Sequence, residues 1–146
     1  MVIAGEWQLS DDGVTRPILH ARIHKGDGTL IAEDFLIDSG ADRTAFRTGL
    51  LEQLQIPTRK PPMDIALSGI GGVSAFVLVT TVIELLRVDG SPVRVRGEFA
   101  GFTDPAATDL SVLGRDVLDN FDLILSRPRN EILLLAPRHQ YRVEQT

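Results

Sequence analysis

The sequence predicts an all-β, or at least β-rich, single domain with one or two short helices. Three observations carry this. Apolar and polar residues alternate with a period of two in several runs, as at Leu19, Ala21 and Ile23 against His20, Arg22 and His24. Glycine, proline and aspartate punctuate these runs at short intervals. Only two segments, residues 44–54 and 115–120, have the spacing of a helix. A chain of 146 residues fits one domain. The expected unit spans residues 1–146, with a core over about 15–136 and a polar tail over 137–146.

The elements follow in order. Residues 16–24 alternate as a half-buried strand, and Lys25-Gly26-Asp27-Gly28 turns the chain, since Gly and Asp tolerate positive φ. Residues 30–37 return as the second strand of a hairpin and end in Phe35-Leu36-Ile37, apolar on both faces as in a strand entering the core. Residues 44–54 read as a short helix with Leu50, Leu51 and Leu54 on one face. A loop over 57–62 leads to a strand over 63–68, a glycine turn over 69–72 and a long strand over 73–88. After Asp89-Gly90-Ser91-Pro92, residues 93–99 alternate again. Residues 103–109 form a loop, 110–113 a short apolar strand ending at Gly114, and 115–120 a turn or short helix. A last hairpin pairs 121–125 with 131–135 around Pro128-Arg129-Asn130. The segments ending in Gly40 and Gly114 form a weak internal repeat, each an apolar strand running into a glycine and then a helix-like stretch. Residues 1–14 have no evident place in this scheme.

Composition excludes several function classes. With 15 basic and 20 acidic residues the chain has a net charge of −5, which argues against a general nucleic-acid binder. Without cysteine it has no disulfide, thiol nucleophile or Cys-based zinc site. The start, Met1 onward, lacks the basic and apolar regions of a signal peptide, and the longest apolar stretch, 73–86, is interrupted by Thr80, Thr81 and Glu84 and falls short of the about 20 residues of a membrane span. A soluble, cytoplasmic protein is the expectation. His20 and His24 would share a helix face as metal ligands, but on a strand beside Arg22 they read as solvated residues. Gly69 and Gly71 lack the following helix of a dinucleotide loop, and scarce aromatics argue against a sugar-cleaving site.

The strongest chemical signal is Asp38-Ser39-Gly40-Ala41, directly after the apolar strand end. An aspartate there is held at a fixed angle and is approachable, because its neighbours are small. Alone, the tripeptide reads first as a turn, since Asp, Ser and Gly are turn residues. Two further segments change the balance: Gly69-Ile70-Gly71-Gly72 between two strands, and Val112-Leu113-Gly114-Arg115-Asp116 after an apolar strand.

In this order the three motifs resemble the retropepsin-like aspartic proteases, over roughly residues 16–135. The resemblance implies an acid-protease-like barrel half that dimerises, with flap hairpins over a peptide cleft. It makes Asp38 the catalytic aspartate and Ser39 the hydroxyl that bonds across the dimer. Gly40, Ala41 and Asp42 would meet the substrate, with Asp42 and Arg115 paired to brace the loop. Gly69, Ile70, Gly71 and Gly72 would form the flap tip, and Val112 would line a side-chain pocket. Arg43 stands where retroviral members often carry an acid.

Only one Asp-Ser/Thr-Gly occurs in the chain, whereas the chemistry needs two carboxylates sharing one proton. A C2 homodimer supplies the second automatically. No metal or other cofactor is expected, since a carboxylate activates the water. The expected activity is aspartic endopeptidase cleavage of an extended polypeptide, without nucleic acid or membrane. The alternative is a non-catalytic dimerisation or peptide-binding module on the same fold.

Overall fold

The computed structural model describes residues 1–62, 67–69, 72–106, 108–137 and 143–145, with backbone alone over 67–69 and 72–74. Its strands are β1 (Val2–Leu9), β2 (Thr15–His24), β3 (Leu30–Ile37), β4 (Ala45–Phe46), β5 (Leu67–Gly69), β6 (Gly72–Ser74), β7 (Phe76–Leu86), β8 (Pro92–Phe102), β9 (Ser111–Leu113), β10 (Asp122–Ser126) and β11 (Glu131–Leu135). Two short helices, α1 (Thr48–Leu54) and α2 (Arg115–Leu118), complete the chain.

Nine strands form one sheet in the order β10-β11-β1-β2-β3-β9-β4-β8-β7. Pairing of Ala21–Ile23 on β2 with Leu85–Ile83 on β7 closes six of them into a barrel. The strand β1 switches partners midway: Val2–Gly5 pairs with β11, and Glu6–Leu9 pairs with β2. This couples the barrel to the β10–β11 hairpin. Residues 1–14, which the sequence left unplaced, thus supply a structural strand and its turn. Trp7 fixes the junction by donating its indole N–H to the Glu131 carbonyl at 3.2 Å, under the Arg127 guanidinium 5.1 Å from its ring.

The period-two readings hold where one face is buried. Leu19, Ala21 and Ile23 lie in the core with Phe35, Ile37, Ile83 and Leu85, while His20 is exposed. Phe46 sits between Phe35 and Phe99, with ring centroids at 6.0 and 5.7 Å. Burying such a side chain fully is worth about 1.5–3 kcal/mol.

Several boundaries move. The helix expected over 44–54 begins at Thr48, because Ala45 and Phe46 are drawn into the barrel between β8 and β9. Leu50 and Leu54 are buried, and the Leu54 carbonyl accepts the Gly26 N–H at 2.8 Å, so the β2–β3 turn finishes the helix. The long strand expected over 73–88 breaks at Ala75 into β6 and β7. Gly69 and Gly72 pair with each other as the facing ends of β5 and β6. Ile70 and Gly71, and most of the strand expected over 63–68, lie outside the described residues.

His20 and His24 are not simply solvated. His20 lies between Asp34 Oδ1 at 2.5 Å and Glu6 Oε1 at 3.1 Å, while His24 approaches the buried Glu84 at 3.4 Å. Glu84 is also paired with Arg22 and Arg94, its direct cross-strand neighbours. Burial raises its carboxyl affinity for protons, and the hydrogen bonds from His24 and Arg94 with the Arg22 charge more than reverse this.

The hydrogen bond to Asp34, opposed by burial and helped by Glu6, raises the His20 pKa above its usual 6.5. Its stabilisation is therefore complete below the unfolded pKa and disappears as pH rises through the folded value. The difference in melting temperature between wild type and His20→Gln should be largest near pH 5 and vanish by about pH 9, measured by calorimetry across that range. A constant difference would refute this.

Candidate active site

Asp38 follows directly on β3, and its position is set by β9. The strands β3 and β9 run parallel, with Ile37 beside Leu113, and the Asp38 N–H donates to the Leu113 carbonyl at 3.0 Å. The internal repeat therefore has a physical counterpart: its two strand–glycine units lie side by side. The Asp38 carboxylate accepts the Gly40 N–H at 2.9 Å, and its carbonyl accepts the Ala41 N–H at 3.1 Å. A Cβ on Gly40 would lie 3.2 Å from Asp38 Oδ1, crowding the carboxylate.

The loop after Asp38 is stitched to the start of α2. Arg115 N–H donates to the Ala41 carbonyl at 2.8 Å, Asp116 N–H to the Asp42 carbonyl at 3.3 Å, and the Arg115 guanidinium to the Ser39 carbonyl at 3.2 Å. Gly114 allows this approach, since a Cβ there would meet the Arg43 carbonyl carbon at 2.6 Å. The expected pair of Asp42 and Arg115 forms through Oδ1 and Nη2. It is largely in water, with Asp42 82% and Arg115 46% exposed. Arg115→Ala should accordingly cost at most about 1 kcal/mol of stability in denaturant unfolding.

Thr44 is the stronger brace, and the sequence reading passed it over. Fully buried, it donates its hydroxyl to Asp116 Oδ1 at 2.7 Å and accepts the Gly114 N–H at 3.0 Å. Its own N–H donates to the same carboxylate oxygen at 2.9 Å, across 72 residues of sequence. Thr44→Val keeps the shape but strands the Gly114 N–H and should cost about 2 kcal/mol in urea unfolding. An effect no larger than that of Arg115→Ala would refute this ranking.

A second cluster braces β3 from the other side. Glu33, buried, receives Arg47 in a bidentate pair at 2.8 and 3.1 Å and the Ser111 hydroxyl at 2.6 Å. Ser111 in turn accepts the Arg47 N–H at 3.0 Å. These groups tie β3 to β9 and to the start of α1. None was singled out in the sequence, where Glu33 looks like any polar position of an alternating strand.

The other expected residues are placed as follows. Ser39 and Gly40 are exposed, while Ala41 and Val112 are half-buried. Val112 lies between Leu36 and Ala45. Gly69 and Gly72 stand on the separate β5–β6 sheet. Two clefts, of about 320 and 580 Å3, flank residues 109–110, and Asp38 lines neither. Among the described residues no cluster of His, Asp and Glu is arranged to hold a metal ion, and no helix is long and apolar enough to cross a membrane. One chain thus presents a single Asp-Ser-Gly carboxylate, on a loop stitched to the start of α2.

The family model described as aspartyl protease matches residues 21–117. Among solved structures, the EIAV protease complexed with the inhibitor HBY-793 is 21% identical, with a TM-score of 0.50 over 71% of this chain and 86% of that one. A retropepsin-like aspartic protease from Rickettsia conorii is 15% identical, with a TM-score of 0.52 over 92% of this chain and 88% of that one. No curated protein matches the chain. At these identities the structural likeness speaks for the fold. The family match spans the Asp38 loop, the β5–β6 hairpin and the Gly114-Arg115 segment, and the chain belongs to the aspartyl protease family, with a retropepsin-like fold.

Proposed function

We propose that this chain is an aspartic endopeptidase that works as a homodimer, using Asp38 and Asp38 of the partner subunit. One observation carries the reading: a lone aspartate on a braced loop, its carboxylate oriented by the Gly40 N–H at 2.9 Å, in a chain with no second motif of the kind. Two such carboxylates brought together cannot both ionise, so one holds a proton while the other is a base.

The ionised carboxylate takes a proton from water, whose oxygen attacks the peptide carbonyl carbon. The protonated carboxyl gives its proton to the carbonyl oxygen, producing a neutral gem-diol. Collapse breaks the C–N bond; the nitrogen gains a proton, the dyad regains its single one, and the products are a carboxylic acid and an amine.

The substrate binds as an extended strand, so that main-chain hydrogen bonds hold it and alternating pockets select side chains. Gly40, Ala41 and Asp42 contact it from below. The β5–β6 hairpin is the flap, with Gly69, Ile70, Gly71 and Gly72 at its tip, and Val112 lines a pocket. Ser39 bonds across the dimer beneath the dyad. The test is cleavage of an unfolded protein mixture from about pH 3 to pH 8, wild type beside Asp38→Asn.

A further inference from the structure

The outer face of the barrel carries a charged cluster that the proposed chemistry does not use. Strand register sets it: Glu84 on β7 stands between Arg22 on β2 and Arg94 on β8, and Val82 faces Arg96. The alternate residues Ile23, Ile83, Leu85 and Phe99 lie in the core, so this row looks outward. At the next outward position of β8, Glu98 is paired with Arg59.

The row has more donors than acceptors. Both carboxylates are engaged, Glu84 by Arg22, Arg94 and His24 at 3% exposure, and Glu98 by Arg59. The guanidinium groups, with five N–H donors each, are not. Arg94 engages Glu84 through Nε at 3.1 Å, and its side chain is 60% exposed. The Nε of Arg22 is buried without a hydrogen-bond partner among the described residues. Arg96 is exposed and, among the described residues, has neither hydrogen bond nor ion pair. In a chain of net charge −5, this face is the reverse of the whole.

We propose that this face docks an extended acidic segment of another polypeptide, running along β8 with carboxylates at alternate residues. Arg94 and Arg96 stand on one side of β8, about 7 Å apart along the strand, which is the repeat of one side of an extended chain. Each planar guanidinium accepts a carboxylate in bidentate fashion, and arginine clusters recognise acidic segments in this way. Exposed Leu30 and Leu86 border the row and suit the apolar parts of a polypeptide. A nucleic-acid backbone would meet Glu84 and Glu98 within the row and an acidic chain around it.

The face lies beside the proposed cleft without belonging to it. Ala32, which faces Arg22, precedes Asp38 by about 20 Å of extended strand. At the other end of the row the Arg59 hydrogen bond, and further off the charge of Arg43 in the loop after Asp38, hold the Glu98 carboxyl below its usual value. A polypeptide held on this face can therefore offer another stretch to the cleft. That use rests on the peptidase reading; the docking itself does not.

The test is fluorescence anisotropy near neutral pH in the Asp38→Asn protein, where cleavage plays no part. A labelled peptide alternating Glu and Ser should bind, and one alternating Lys and Ser should not. A peptide with as many Glu at every third position should bind less tightly, because its acids no longer share one side. Arg96→Glu should weaken binding about tenfold or more by setting like charges together. Arg96 has no partner in the fold, and circular dichroism would confirm that the variant folds. Arg94→Gln, which leaves Glu84 to Arg22 and His24, should weaken binding in the same direction.

Equal binding of the Glu and Lys peptides would overturn the proposal, as would undiminished binding to folded Arg96→Glu. A single-stranded oligonucleotide that binds more tightly than the Glu peptide, and is lost in Arg96→Glu, would assign the face to nucleic acid and overturn it too. In the otherwise wild-type enzyme, Arg96→Glu should raise KM more for a cleaved peptide bearing a Glu–Ser tail than for the same peptide without it. Binding lost in Arg96→Glu with no such difference in KM would uphold the docking and refute substrate capture. Neither result bears on the dyad, which Asp38→Asn tests separately.

Discussion

Asp38→Asn is expected to reduce peptide cleavage below detection while leaving the protein folded and its oligomeric state unchanged. The amide oxygen still accepts the Gly40 N–H that holds Asp38 at 2.9 Å, so the loop keeps its shape. The amide cannot take a proton from water, nor share one with a facing carboxylate, so base and acid are lost together. The loss should extend to mixed dimers. If wild-type and Asp38→Asn subunits exchange freely in equal amounts, only about a quarter of the dimers keep two aspartates, and activity per wild-type chain should halve. Initial rates on an unfolded protein, read beside sedimentation of the same samples, check both statements. Unaltered cleavage by the folded variant would refute the dyad, and activity unaffected by mixing would mean that one aspartate suffices.

Arg47→Ala is expected to be the most damaging substitution for stability outside the core. It removes both charged hydrogen bonds from Glu33, whose side chain is 6% exposed, and leaves the Ser111 hydroxyl as its remaining donor. An uncompensated buried carboxylate costs about 3 kcal/mol or more, which for a domain of this size lowers the melting temperature by about 10 °C. The double variant Glu33→Gln/Arg47→Ala should recover part of this, because the orphaned charge is gone. Calorimetry on the single and double variants decides it. A loss below about 1 kcal/mol for Arg47→Ala would place the pair among ordinary surface bridges.

These two residues mark what was legible before the structure. Asp38 stood out because its signal is local: an apolar strand, a carboxylate, a hydroxyl and a glycine in direct succession. Arg47 carried no such signal. Its partner Glu33 lies 14 residues upstream on a strand where a polar residue in an alternating pattern normally faces water. Thr44 and Asp116 were hidden for the same reason, being joined across 72 residues. The Asp42–Arg115 pair was anticipated, yet its exposure makes it a weaker brace than the Thr44 network.

The sequence by itself determined the β-rich class, most strand positions, the two glycine-ended strands and the single Asp-Ser-Gly at residues 38–40. Alternation, turn chemistry and motif order are properties of neighbouring residues and survive without a fold. Only the tertiary structure decided that residues 2–9 form a strand shared between β11 and β2, and that Ala45 and Phe46 leave the helix for the barrel. It also decided that Glu33 and Glu84 are buried with arginines and that, among the described residues, β10 ends the sheet with β11 as its one strand partner. Each of these depends on which distant strand becomes a neighbour. Burial and pairing energies are set by that neighbour, and short-range sequence pattern carries no record of it.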